Sequence, residues 1–591
     1  MSACKPYDDV AWAINSQIWE DWPELLRTDG DIYNDIGVIL SEEFSDLECD
    51  LFDFLNTGGF NTCFKMSFTN DFGAVIRFPM PGAIMFPEEK VRNEVSVMQS
   101  LLDKTSDKIP IPVPSIFRWT EAKESHSKLG PFIIMNYIPH EGSMGDLLEK
   151  PGRQVGERSV LNPELKPIRL EVLYGKLASI VLSLSTLSFG RIGSLDKNDN
   201  STWEVLHRPL SYSMNEIVQL GTLPRSKLPP TTYDKASSYF EALAELHISH
   251  LISQRNEADV LAYIPTDVLA DDFRRKFVAR FLFRTLIRDQ EQRKQWILYD
   301  DGPFPVWCDD FRPENVLVDE AESITGVVDW EFTYTAPAEF SYTPPWWLLL
   351  QKPEDWPNGL DDWCTEYEKH LQTFLGAMRQ VEDEAIQNKR LVEGQRLSSR
   401  MRDSWQSGDF WVMYAARNNF AFDAIYWKKI DRRFFGTTTY EDDNICDVWR
   451  KRLHLLEPEE IELMEKYVDL KLKERNTGLF AWDPNEYTVE WIKRMKVIRK
   501  IKEMKDNMYT VVIEWEGELQ SMVEMKRKVT KRIEEMKGEM ERMEIEWKGE
   551  IKDMKEMEKK EEVQEMREMK RRKAMEWEEI KRKMEEIELL P

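Results

Sequence analysis

Cysteine is scarce in this chain: Cys4, Cys49, Cys63, Cys308, Cys364 and Cys446 are scattered over 591 residues with no Cys-x-x-Cys spacing. A disulfide-stapled scaffold and a thiolate zinc site both need clustered cysteines, so neither is expected. Long hydrophobic runs are also missing. One of the densest, Trp346-Trp347-Leu348-Leu349-Leu350, falls far short of the ~20 apolar residues that span a bilayer. The opening Met-Ser-Ala-Cys-Lys-Pro-Tyr-Asp-Asp has no apolar core of the kind a secretory leader carries. The expectation is a cytoplasmic protein with reduced thiols. Excess positive charge is lacking as well. The chain has 80 Lys and Arg against 107 Asp and Glu, a net charge of −27. This argues against nucleic acid and against an anionic membrane as partners. The stretch from residue 491 onward is nearly neutral, with 27 positive and 26 negative groups, so the deficit belongs to the first 490 residues.

Apolar content of 42%, with 21 Trp and 28 Phe, indicates a globular chain, long enough for two or three structural units. Residues 1–45 mix Trp, Leu and acidic groups at helical spacing and predict a helical extension. From Asp50 to Trp119 short apolar runs are broken by Gly, Asn and Pro. Phe52–Leu55, Cys63–Phe68 and Ala74–Phe78 predict antiparallel strands. Asn70, Asp71 and Gly73 supply the turn between the last two. A helix follows over Pro87–Leu102, with Val91, Val95, Met98 and Leu102 on one face. Pro110, Pro112 and Pro114 enforce an extended segment, and Phe132–Ile138 predicts a further strand. From about 165 to 475 helical periodicity dominates, as in Leu170–Leu187, Ala236–Ile252 and Asp272–Glu291. The expected organisation is an extension (1–45), a small β-rich lobe (46–139), a large helical lobe (140–480) and a tail (481–591).

The most informative stretch is Val306-Trp307-Cys308-Asp309-Asp310-Phe311-Arg312-Pro313-Glu314-Asn315-Val316-Leu317-Val318, followed by Thr325-Gly326-Val327-Val328-Asp329-Trp330-Glu331. An Asp, an Asn five residues on, an apolar strand and a second Asp closing another apolar strand form the layout of a phosphoryl-transfer loop. In it the first carboxylate, Asp310, takes the proton of an attacking hydroxyl. Asn315 and Asp329 hold the Mg²⁺ that bridges the nucleotide phosphates, because that ion prefers hard oxygen ligands. Such a loop predicts an α+β, bilobal, kinase-type architecture with the loop inside the second lobe. Asp and Asn also favour loops for local reasons; the flanking strand-like runs distinguish this case.

The small lobe supplies candidates for the other parts in the right order. Gly58 and Gly59, between two strands, form a candidate cover over the phosphates, although a plain hairpin turn accounts for them equally. Arg77 is the candidate phosphate-pairing cation, and Glu94 its ion-pair partner in the following helix. Met135 and Tyr137 fall where an interlobe hinge would meet the base of ATP or GTP. For acceptor contacts Glu331, Tyr334, Trp346 and Trp347 are candidates; acidic and aromatic groups are expected there if the acceptor is a cation.

These residues resemble the aminoglycoside phosphotransferase and choline-kinase-like family, in particular its fungal branch. The matching motifs are Gly58-Gly59-Phe60-Asn61, Ala74-Val75-Ile76-Arg77-Phe78-Pro79, Glu94, Met135-Asn136-Tyr137-Ile138-Pro139, Arg191-Ile192-Gly193-Ser194-Leu195, Asp310-Phe311-Arg312-Pro313-Glu314-Asn315-Val316-Leu317 and Gly326-Val327-Val328-Asp329-Trp330-Glu331-Phe332. The similarity covers about 45 to 375. It implies a protein-kinase-like fold and transfer of a nucleotide γ-phosphate to a hydroxyl of a small molecule. Asp310 would be the base, Asn315 and Asp329 the Mg²⁺ ligands, Arg77 the phosphate contact and Glu94 its support. Two features depart from the family pattern: Cys308-Asp309 stands where His-Gly is usual, and Arg77 stands for Lys.

The tail adds a different signal. Met522, Met525, Val529, Ile533, Met536, Met540, Met543, Trp547, Ile551, Met554 and Met557 advance on average 3.5 residues per step. That is the coiled-coil seam period, amid mixed charges that suit pairing along one helix. The prediction is a long helix or coiled coil, with self- or hetero-association; a lone charge-stabilised helix fits the same spacing. An alternative to the enzyme is therefore a pseudokinase, a nucleotide-binding module that acts through this tail. The acceptor itself is not legible.

Overall fold

A computed structural model describes residues 8–105, 110–120, 129–153, 157–255, 265–436, 447–474 and 484–516, with 530–532, 534–535 and 538. The seam positions from Met522 to Met557 lie outside the described residues. Two helices come first, α1 (Asp9–Thr28) and α2 (Gly30–Glu43). Asp29 joins them. Its N–H donates to Leu25 O to close α1, and its carboxylate accepts from the N–H groups of Asp31 and Ile32 to start α2. Helix α2 then covers an outer strand of the sheet, where Tyr33 Oη donates to Phe52 O at 2.9 Å. Gly37 faces the Phe52 ring, and a Cβ there would sit in van der Waals contact with it at 3.4 Å.

The small lobe is a five-stranded antiparallel sheet of β1 (Cys49–Thr57), β2 (Asn61–Phe68), β3 (Gly73–Pro79), β4 (Ile116–Thr120) and β5 (Phe132–Asn136), in the order β1-β2-β3-β5-β4. In β2 the alternation sends Phe64, Met66 and Phe68 into the core. Central β3 is buried along its whole length. Strand β4 was not expected from the proline-rich segment before it, and β5 stops at Asn136, where Asn136 Oδ1 accepts from Ser115 N.

Helix α3 (Pro87–Thr105) packs Val91 and Val95 against Ile133, with Ile116 and Trp119 alongside. Of the predicted stripe, Val91, Val95 and Met98 are buried, whereas Leu102 is 40% exposed. The polar side holds the surprise: Lys90, Asn93 and Glu94 are buried too. The helix is covered on both sides, which periodicity alone does not reveal.

The loop from Met80 to Phe86, between β3 and α3, is held from three directions. From α1, Asn15 Nδ2 donates to Gly82 O at 2.6 Å. From the helix Tyr212–Gln219, Asn215 accepts from Met85 N and donates to Ala83 O, at 2.9 and 2.8 Å. From far along the chain, Thr488 Oγ1 accepts from Gly82 N at 2.9 Å, Asn485 Nδ2 donates to Ile84 O and Met85 O, and Tyr487 Oη donates to Pro79 O.

The larger lobe is helical. Pro167–Ser185 packs along Leu360–Gln387, and Ala236–Ser253 along Thr266–Arg288. The last of these helices was expected to run to Glu291; it ends at Arg288, because the Asp289 carboxylate accepts from Glu291 N and Gln292 N and starts a new turn. Two small three-stranded sheets and a hairpin, Ser194–Lys197 with Trp203–His207, interrupt the helices. In one, Phe304–Cys308 lies between Thr333–Thr335 and Ser188–Phe189; in the other, Val316–Val318 lies between Ile324–Val327 and Gly142–Ser143. The architecture is thus bilobal α+β, a small β-sheet lobe followed by a larger helical one.

Both lobes belong to one compact unit, Met1–Glu457 with Met464–Thr488; a second comprises Pro458–Leu463 with the chain from Val489. Within the second unit, the described part is chiefly the helix that ends at Glu516. Among the described residues no helix is long and apolar enough to cross a membrane.

Candidate functional site

The two small sheets present two loops side by side. Leaving the strand at Cys308, the chain forms Asp309–Arg312 and one tight turn, Pro313–Asn315, before pairing again at Val316. The second loop, Val328–Phe332, leads back into the strand Thr333–Thr335. Asn315 Nδ2 donates to Asp310 O at 2.9 Å, Val328 N donates to Asn315 O at 2.9 Å, and Asp309 N reaches Phe332 O at 3.3 Å. Asp329 and Phe332 both adopt left-handed backbone, φ 66° and 56°. Asp tolerates this conformation, but for Phe it is strained, and such positions persist only where surrounding contacts over-determine them.

A buried charge network ties these loops to the small lobe. Arg77, in β3, pairs with Glu94 of α3, and its Nη1 donates to Asp329 Oδ1 at 2.8 Å. One turn before Glu94, Lys90 Nζ lies 2.5 Å from Glu331 Oε2, 2.6 Å from Asn61 Oδ1 and 3.4 Å from Glu94 Oε2. Asn61 Nδ2 closes the ring onto Glu331 Oε2 at 3.0 Å. On the other side, Arg312 Nε stands 3.6 Å from Asp310 Oδ1. Four carboxylates therefore face three cations.

The surplus of negative charge shows in the protonation equilibria. Burial pushes the Asp310 carboxyl up to about 7; Arg312 opposes the shift, while Asp329 and Glu331 add to it. Burial and the neighbouring Glu331 push Asp329 up as well, against the pull of Arg77. For Glu331 burial acts upward too, but Lys90 and Arg77 outweigh it and hold that carboxyl below its usual range.

Oxygens of Asp310, Asp329 and Glu331 lie within 4.8 Å of one another, which makes them a candidate acidic metal-binding cluster. The donor chemistry suits a hard divalent cation. Glu331 Oε1 is buried with no hydrogen-bond partner in the protein, which fits a cation beside it, whereas the Arg77 guanidinium already pairs with Glu94 and Asp329. Asn315, with its amide N–H₂ engaged on the loop backbone, has only its oxygen to offer.

Asp309 does a different job from its neighbour. Its Oδ1 accepts from Trp307 Nε1 at 2.7 Å and its Oδ2 from Tyr212 N at 3.1 Å, with Arg417 Nη1 at 3.9 Å. Both oxygens are committed to bracing the loop. Cys308 is buried, and burial pushes its thiol far up, out of the reactive range.

The remaining expected contacts fare unevenly. Gly58 and Gly59 sit in the β1–β2 turn, where Gly58 N donates to Asn61 O. Added Cβ atoms at these two positions would meet open space or only Asn61 O at 3.9 Å, so packing does not require glycine there. Met135 is buried within β5. The N–H of Tyr137 is spent on Gly73 O at 2.7 Å, and Lys65 Nζ caps its ring at 3.6 Å, so this N–H is not free for a nucleotide base. Among the acceptor candidates, Glu331 belongs to the Lys90 network instead, Tyr334 is buried against Tyr239 Oη, and Trp347 is core; Trp346 alone of the four lines a pocket beside Asp310. Lys90 and Asn61 were missed as members of the charge network, and only their contacts across the fold identify them.

No protein-family model and no curated protein matches the chain. Solved structures do align with it. The aminoglycoside phosphotransferase APH(4)-Ia shares 13% identity over 66% of this chain and 98% of its own, with a TM-score of 0.33. Ethanolamine kinase Pv091845 of Plasmodium vivax shares 12% over 75% and 89%, with a TM-score of 0.32. The macrolide 2′-phosphotransferase MphH of Brachybacterium faecium shares 14% over 66% and 97%, with a TM-score of 0.31. The overlap is broad in extent and loose in geometry.

Proposed function

We propose that the chain transfers the γ-phosphoryl group of ATP or GTP to a hydroxyl of a small molecule. The supporting observation is the convergence of Asp310, Asp329 and Glu331 within 4.8 Å, beside a cation, Arg77, locked between two carboxylates. Asp310 is the base: a carboxyl poised near neutrality takes a proton far more readily than one near 4. The acceptor oxygen attacks the γ-phosphorus, its proton passes to Asp310, and the bond to the β–γ bridging oxygen breaks with its electron pair on the departing diphosphate. Arg77 holds positive charge next to the phosphates, and Glu94 keeps its guanidinium in place. Lys90 adds a second cation behind it and fixes Glu331. Asn315 and Asp329 would hold Mg²⁺, which neutralises phosphate charge when bound.

Calorimetry of ATP and GTP binding with and without Mg²⁺ tests the assignment. Binding is expected to need Mg²⁺, to fail in Asp329→Ala and to survive in Asp310→Asn. Nucleotide binding that survives Asp329→Ala or that needs no Mg²⁺ would sink it. A second reading, a nucleotide-binding pseudokinase, draws support from the Arg77–Asp329 contact, which leaves both groups satisfying one another without ligand. Acceptor-dependent turnover separates the two.

A further inference from the structure

One side chain that holds the loop Met80–Phe86 does two jobs. Asn485 Oδ1 accepts from Thr488 N at 2.8 Å and so caps the helix Glu486–Glu516. Its Nδ2 meanwhile donates to Ile84 O and Met85 O, at 3.1 and 3.0 Å. Next to it Thr488 Oγ1 accepts from Gly82 N at 2.9 Å, and Tyr487 Oη donates to Pro79 O at 2.8 Å. Asn485 and Thr488 are both buried. The Tyr487 ring lies where a Cβ at Gly130 would fall, so the contact depends on a residue without a side chain. The other two holders of the loop, Asn15 and Asn215, stand inside helices that are capped by different residues, Asp8 and Ser211. Of the three, Asn485 alone ties its hold on the loop to the start of a helix.

What the loop connects gives this hold its reach. At the start, Met80 N donates to Phe60 O at 2.7 Å, beside Gly58 and Gly59. At the end the loop runs into α3, where Phe86 O accepts from Lys90 N at 2.8 Å in the first turn. Lys90 holds Glu331 and Asn61, and the following turn carries Glu94, the partner of Arg77. The loop thus joins the glycine turn to the helix that orients both buried cations. Groups that meet phosphate are sensitive to such placement, since a displacement of about 1 Å can cost on the order of a hundredfold in rate.

We propose that Asn485 and Thr488 are positioning residues for the phosphate-handling groups. Through the loop Met80–Phe86 they set where α3 holds Glu94, and with it Arg77. Loosening the first turn of the helix Glu486–Glu516 therefore loosens the grip on phosphate. This goes beyond the phosphotransferase reading and rests on its assignment of Arg77 to the nucleotide.

Calorimetry on the full chain with Mg²⁺ tests it, using whichever of ATP and GTP the parent prefers and the matching nucleoside. Asn485→Asp keeps an oxygen to cap the helix and loses both donations to the loop. It is expected to weaken the triphosphate about fivefold or more and to leave the nucleoside unchanged, because the effect falls on phosphate. Thr488→Val removes the acceptor for Gly82 N and should act alike, whereas Thr488→Ser keeps it and should restore the parent's affinity. Hydrogen exchange gives a second reading that needs no ligand. Amides from Gly82 to Glu94 should exchange faster in Asn485→Asp, and those of the helix Pro167–Ser185 should not. Equal losses for triphosphate and nucleoside overturn the proposal, as does unchanged triphosphate affinity in Asn485→Asp and Thr488→Val. Exchange that is unaltered over 82–94, or raised throughout the chain, does so too. If the parent binds neither ATP nor GTP, the phosphotransferase reading fails and this proposal falls with it.

Discussion

Replacing Asp310 by Asn should stabilise the protein, and do so more at high pH than at low. In the folded chain this carboxyl is pushed up to about 7, whereas unfolded it titrates near 4. The folded state therefore binds more protons than the unfolded one between those limits, and stability falls as pH rises through that window. About three units at 1.36 kcal/mol each give roughly 4 kcal/mol over the whole range, of which about 2.5 kcal/mol falls between pH 5 and pH 8. Asparagine never ionises and escapes this loss. Thermal or urea melts of both proteins at pH 5 and pH 8, with a chelator present, measure the difference. The Asp310→Asn advantage should grow by about 2 kcal/mol between them, a shift of only about 2 °C in a unit of this size, so the urea midpoint is the more sensitive readout. Added Mg²⁺ should shrink the growth, because a bound cation favours the carboxylate. An advantage equal at both pH values, or a variant less stable than the parent at pH 8, would refute the claim that burial and the neighbouring carboxylates hold Asp310 near neutrality.

Arg77→Met should destabilise by about 3–5 kcal/mol, since it strands Glu94 and Asp329 without their shared cation; an unchanged urea midpoint would show that the pair is not what holds α3. A double-mutant cycle on Lys90→Met and Glu331→Gln should report a coupling of about 1–3 kcal/mol, and additive losses would mean that the two do not interact in solution. In the native protein at pH 8, iodoacetamide should label exposed Cys49 and spare Cys308, which peptide mass spectrometry reads directly; labelling of Cys308 before Cys49 would place that thiol at an accessible surface.

What was legible in the sequence follows from what is local. Asp310, Asn315 and Asp329 stand out because two strands and a proline fix the spacing between them, and the structure does bring them together. Arg77 and Glu94 were noticed by their order, and they meet because β3 and α3 are consecutive and packed. Lys90, one turn from Glu94, was invisible: its burial depends on Glu331 and Asn61, and a charged residue on an amphipathic helix ordinarily faces water. Glu331 was misplaced for the same reason. It follows Asp329 by two residues and was grouped with the lobe after it, whereas its partners lie in α3 and β2.

The clasp on Met80–Phe86 has a bearing on how the protein comes to be made. Its hydrogen bonds join a loop near residue 80 to Asn485, Tyr487 and Thr488, some four hundred positions later. A ribosome delivers those last three only after nearly the whole of both lobes has emerged. The lobe synthesised first is thus the one finished last, and during most of synthesis the loop that leads into α3 waits without these three partners. A nascent chain arrested with residue 483 exposed should leave 80–86 open to protease, and one arrested past 488 should protect it.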